Sequence, residues 1–270
     1  MGEKFEKIKI RALTIIVGIP IVLFIINLGG PVFYLTIALI AILGLFELQN
    51  ILKKRYNPSL FLGILLTLFF LFRKFLPESF PANDNLIFTI IILAIFIDNF
   101  LGKEKKKNMV TNIGITLFVA IYIGHLLSFL INIRIMPSGK IFIIFALFAT
   151  WMNDIFAYLF GVNFGEKHIF PNISPNKTLE GSIGGLFGGL LCGILFYFLI
   201  PNKSFMIIIF GLVAAFCGQV GDLFESIIKR NFNVKDSGKI IPGHGGILDF
   251  VDSILFSVPI MYYFLNYLYI

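Results

Sequence analysis

Residues 219–253, QVGDLFESIIKRNFNVKDSGKIIPGHGGILDFVDS, lie between two strongly apolar segments and hold the densest run of charge in the second half of the chain. Asp222, Glu225, Ser226 and Lys229 fall at i, i+3, i+4 and i+7, so a helix places all four on one face. Pro242 and Gly243 break that pattern, His244, Gly245 and Gly246 follow, and Asp249 and Asp252 then recur three residues apart on the next helix. Two helices thereby aim carboxylates at one Gly-rich turn. Carboxylates beside Lys, Arg and flexible backbone suit a divalent cation and a polyphosphate, because Mg²⁺ takes oxygen ligands and keeps substrate phosphates as partners.

Outward from that stretch the chain is apolar. Hydrophobic residues make up 58% of the 270 and charged residues 14%, against about 45–50% and about 25% in soluble domains. This composition predicts an all-α, polytopic membrane protein with nine spans, at residues 13–28, 31–52, 59–72, 86–101, 109–133, 141–161, 182–200, 205–228 and 254–270. The net charge of +7 is spread between apolar runs rather than over a soluble face, so it reports membrane topology and not a nucleic-acid partner. With the N-terminus inside, inner segments hold 17 of the 22 Lys and Arg residues, leaving Arg73, Lys74, Arg134, Lys140 and Lys203 outside. That bias predicts a cytoplasmic N-terminus in the inner (cytoplasmic) membrane, with loops 163–181 and 229–249 both facing the cytoplasm, where nucleotides are. Cys192 and Cys217 each sit within an apolar run and read as small packing residues, not as a disulfide or metal pair.

Polar chemistry is concentrated after Trp151. A carboxylate within a span costs about 2.5–3.5 kcal/mol on insertion scales, so Asp154 is expected to face protein or a wet cavity. The loop after it carries Ser174, Lys177, Thr178 and Glu180, and Gly181, Gly185, Gly189 and Gly193 then recur at every fourth position as a small-residue helix-packing stripe. Residues 1–150, five spans and the start of the sixth, therefore read as membrane scaffold and oligomer interface, with a homodimer expected, and residues 151–270 as the catalytic region. Asp98 reads as interfacial, while Glu47 in the second span stays open between a buried structural role and a functional one.

The run SIIKRNFNVKDSGKIIPGHGGILDFVD resembles the signature of the phosphatidate cytidylyltransferases, the CDP-diacylglycerol synthases. Asp154, Ala157, Tyr158, Gly161 and Gly165 are similar to that family's DxxAYxxGxxxG, and Ser174, Pro175, Lys177, Thr178, Glu180 and Gly181 to its SPxKTxEG. The resemblance implies that CTP and phosphatidic acid give CDP-diacylglycerol and pyrophosphate at the bilayer. It implies Mg²⁺ held by Asp222 and Asp249, with Asp252 and Glu225 as supporting or second-metal ligands. Lys177, Lys229 and Arg230 become phosphate contacts, and His244, Gly245 and Gly246 give close backbone approach to phosphate, with His244 a donor; Asp222, Asp249, Lys229, Arg230 and His244 are the catalytic residues so implied. Ser174 and Thr178 are read as phosphate donors or a helix cap, and Asp154 and Lys239 as substrate contacts. One position departs from the family pattern: Phe250 stands where a basic residue follows the first acid. Two other readings remain open on sequence: another CTP-using lipid enzyme, such as a CDP-archaeol synthase or polyprenol kinase, and a secondary transporter built on intramembrane acids.

Overall fold

Each apolar run satisfies its own backbone as a helix, the economical solution where no water is available to hydrogen-bond it. The computed structural model describes residues 2–76, 81–102, 108–200, 204–243 and 245–269. In order these form α1 (Gly2–Leu28), α2 (Gly30–Leu52), α3 (Leu60–Phe72), α4 (Pro81–Leu101), α5 (Met109–Val119), a π-helical segment (Ala120–His125), α6 (Leu126–Ile135) and α7 (Gly139–Phe164). A hairpin of β1 (His168–Phe170) and β2 (Ser174–Thr178) leads to α8 (Leu179–Leu199), α9 (Met206–Asn231) and α10 (Leu248–Tyr269).

Among the described residues each expected span is helical to within a residue of its ends, with α5, the π segment and α6 running on as one rod. Among the described residues six helices are long and apolar enough to cross a membrane. Among the described residues, shorter apolar helical stretches are Ile16–Leu28 in α1 and Asn85–Leu101 in α4. The 13 residues of α3 rise only about 20 Å against a hydrocarbon core of about 30 Å. The all-α polytopic fold is therefore observed, with six helices among the described residues long and apolar enough to span.

Loops expected on one membrane face do share one end of the bundle. Lys54 donates to Phe232 O at 3.5 Å, and the Arg55 guanidinium lies 5.4 Å from the Phe232 ring centre. Arg230 Nε reaches Ile173 O at 3.0 Å. The turn after α2, the hairpin and the 232–247 loop are thus neighbours. At the opposite end Tyr34 meets Phe75, and Lys140 hydrogen-bonds Asn27.

The glycine stripe packs as expected and has a second face. A Cβ on Gly193 would come within 2.7 Å of Ile208 O on α9, and one on Gly188 within 2.5 Å of Met152 O on α7. Small residues on two sides let α8 lie close to both neighbours. Cys192 and Cys217 are buried and free.

Candidate functional site

The site begins where α9 crosses α10. Gly221 leaves no side chain between them, and a Cβ there would collide with the backbone of Asp252. This close crossing sets Asp222, Glu225 and Lys229 of α9 beside Asp249 and Asp252 of α10. Lys229 is buried and pairs with Glu225 one turn earlier and with Asp249 Oδ1 at 2.6 Å. The other oxygen of Asp249 accepts from Ser237 N at 2.9 Å, Ser237 Oγ at 2.9 Å and Gly246 N at 2.7 Å. Asp249 is thus held by a cation on one oxygen and, on the other, by two amides and a hydroxyl whose single proton it shares with Glu47.

That grip explains the glycines. Ile241 and Gly245 exchange backbone hydrogen bonds at 2.8 and 3.0 Å around a tight turn. Gly245 has a φ of 112°, a conformation that side chains rarely adopt, and a Cβ there would lie 2.6 Å from Asp249 Oδ2. His244, expected among the catalytic residues, lies outside the described residues.

Asp222 belongs to a neighbouring subsite. It pairs with Lys177 Nζ at 2.7 Å, and Ser226 Oγ donates to its Oδ1 at a long 3.5 Å. Asp222 and Lys177 line a cavity of about 290 Å³ between α7, β2, α8 and α9, with Asp154, Tyr158, Asn176 and Thr178 among the other walls. Behind Asp154 runs a polar network: Asn153 Nδ2 donates to Asp154 at 3.0 Å, and Gln219 Nε2 donates to Asn153 at 2.7 Å and to Ser182 O at 2.9 Å. Asp154 therefore faces a cavity rather than lipid alone, as its charge demands.

The remaining candidates divide. Thr178 caps α8, its hydroxyl accepting from Gly181 N at 3.1 Å, and it also lines the cavity. Arg230 ties Ile173 O and Val234 O together, so it fastens the hairpin to the end of α9. Ser174 opens β2 opposite Phe170, and Lys239 is exposed on the loop; neither lines the described cavity.

The expected metal ligands do not stand as one cluster: among the described residues no group of three or more His, Cys, Asp or Glu is gathered as a metal site. Their chemistry still suits a hard cation. Asp252 is buried within electrostatic reach of Asp222, Glu225 and Asp154. Glu225 Oε1 is buried with no hydrogen-bond partner among the described residues. A buried carboxylate oxygen without a donor is costly alone and is satisfied by a cation. Asp249 has both oxygens engaged and Asp222 is paired with Lys177, so Glu225 Oε1 is the open carboxylate oxygen, and Asp222 would reach Mg²⁺ only by exchanging Lys177.

Sequence reasoning missed Ser237, the hydroxyl between carboxylates, which carried no signal within its polar loop, and the Asn153–Gln219 pair, for which polar residues inside apolar runs were the available signal. It weighed Glu47 without placing it in the site. Glu47 accepts from Ser237, Ile247 and Leu248.

Carboxylates and lysines gather at one end of the helical bundle, beside a cavity, an arrangement whose charge suits a charged ligand. Residues 9–268 match the model of the cytidylyltransferase family, and the chain belongs to that family. It is 33% identical to the phosphatidate cytidylyltransferase of Bacillus subtilis over 95% of this chain and 97% of that protein. It is 32% identical to that of Staphylococcus haemolyticus over 94% and 97%, and 33% identical to that of Staphylococcus aureus strain COL over the same shares.

Proposed function

We propose that this protein transfers the cytidylyl group of CTP to phosphatidic acid, forming CDP-diacylglycerol and releasing pyrophosphate. Family membership and the names of its relatives support the reaction class. The observation that carries the site is the Lys177–Asp222 pair in a cavity next to the Lys229–Asp249 pair at the α9–α10 crossing.

The lipid phosphate oxygen is anionic near neutral pH, so it attacks the α-phosphorus of CTP without a general base. A bond forms from that oxygen to phosphorus as the bond to pyrophosphate breaks. Rate then comes from positioning and charge neutralisation. Lys177 is the cation placed to meet phosphate, since its only ion-pair partner among the described residues, Asp222, is itself half-exposed. Lys229 is buried and committed to Glu225 and Asp249, so it orients those carboxylates. Mg²⁺, held by Asp222, Glu225 and Asp252, would supply charge neutralisation on the polyphosphate. The inner-membrane location, the cytoplasmic N-terminus and site, and a homodimer belong to the same reading.

Purified protein with CTP, Mg²⁺ and phosphatidic acid should yield CDP-lipid and pyrophosphate in equal amounts. Product from a phosphorylated archaeol alone, or CDP released with phosphorylation of a polyprenol, would instead select a different lipid enzyme.

A further inference from the structure

Glu47 lies in α2, far in sequence from the charged stretch, and is 5% exposed. Among the described residues its side-chain hydrogen bonds cross to the site: Ile247 N to Oε1 at 3.0 Å, Leu248 N to Oε2 at 3.0 Å and Ser237 Oγ to Oε2 at 3.0 Å. The two amides are unpaired donors at the start of α10, so a carboxylate from another helix caps α10 at the positive end of its dipole. Ser237 Oγ also touches Asp249 Oδ2 at 2.9 Å, so Glu47 and Asp249 grip one hydroxyl from two sides. Gly238 and Gly246 press on the same carboxylate, and a Cβ at either would collide with it.

We propose that Glu47 is a positioning residue for the reaction: it locks the 237–248 turn onto the start of α10 and so sets Asp249 and Asp252 against α9. A carboxylate buried without purpose is expensive. Among the described residues, this one is met by backbone and hydroxyl donors of the turn that leads to Asp249 and Asp252. It also gives the N-terminal half a direct part in the site.

The activity arm of the test rests on the proposed reaction, whereas the loop arm needs no substrate. Lys235 and Lys239 are exposed on the loop, so a Lys-specific protease reports its hold. Full-length Glu47→Gln, Ser237→Ala and the double variant are compared with wild type. Gln keeps one acceptor oxygen and turns an NH₂ toward the donors, so each single variant should be cut at Lys235 and Lys239 about tenfold faster or more, with cleavage elsewhere unchanged. Turnover per folded molecule should fall about tenfold in Glu47→Gln while the KM for CTP moves less than about threefold. The double variant should be no worse than the more severe single one, because both remove one junction. Wild-type cleavage in both single variants, or faster cleavage with wild-type turnover, overturns the proposal. If Glu47→Gln fails to fold, Ser237→Ala decides by the same readings. Absence of CDP-lipid formation in wild type would reject the reaction, and the cleavage rates would still report whether Glu47 holds the loop.

Discussion

Asp222 and Asp249 look equivalent in sequence, yet one pairs with a cavity lysine and the other is pinned by a buried lysine, a hydroxyl and two amides. Their replacements should therefore differ. Asp222→Asn should lower turnover about 10²-fold with the melting temperature nearly unchanged. Asp249→Asn should lower turnover at least as much and also destabilise the fold, since breaking a buried pair costs about 3–5 kcal/mol. Activity and thermal unfolding in one detergent separate the two, and identical melting curves would refute the distinction. EDTA should abolish wild-type turnover. Phe250 gives a second test at this scale. Its side chain is 39% exposed rather than locked in the core, so Phe250→Arg should be tolerated. A charge-assisted phosphate contact is worth roughly 1.5–3 kcal/mol, so the variant should lower the KM for CTP several-fold with kcat changed less. An unchanged or raised KM in a folded variant would place the phosphate contact elsewhere, with Lys177 next to examine.

At the scale of elements, site geometry depends on how closely helices approach. Gly221 brings α9 against the Asp252 backbone, and a side chain there must push the two carboxylate-bearing helices apart. Gly221→Val should cost about 1–3 kcal/mol from overpacking and remove activity in whatever fraction still folds. Full activity at a wild-type melting temperature would show that the crossing can relax without disturbing the acids. The helices themselves were legible, because long apolar runs in lipid have one economical backbone solution. The glycine stripe was legible too, through its fourfold spacing. Its second face, Gly184 and Gly188 against α7, was not singled out, because glycines alone do not name the helix they will meet.

For the whole molecule, the gathering of the turn after α2, the hairpin and the 232–247 loop at one end permits a direct topology test. Single cysteines at Asn172 and Lys235, in a Cys192→Ser, Cys217→Ser background, should react with an impermeant thiol reagent from one side. A cysteine at Ser138 should react only from the other. Labelling of Asn172 and Lys235 from opposite sides would rule out a shared site. Inside-out vesicles should expose the first pair if the Lys and Arg bias sets orientation.

By itself the sequence determined the helical membrane class, the approximate rods, and the acids and lysines from Asp154 to Asp252 to which the proposed chemistry is assigned. Composition, period and motif spacing are local properties that survive without a fold. Only tertiary structure decided the pairings: Lys177 with Asp222, Lys229 with Asp249, and Glu47 with a turn about 200 residues away. Those depend on which helix faces meet, and an apolar run in lipid has many partners to choose among. The choice is made by close packing at glycines and by the cost of leaving a buried carboxylate unpaired.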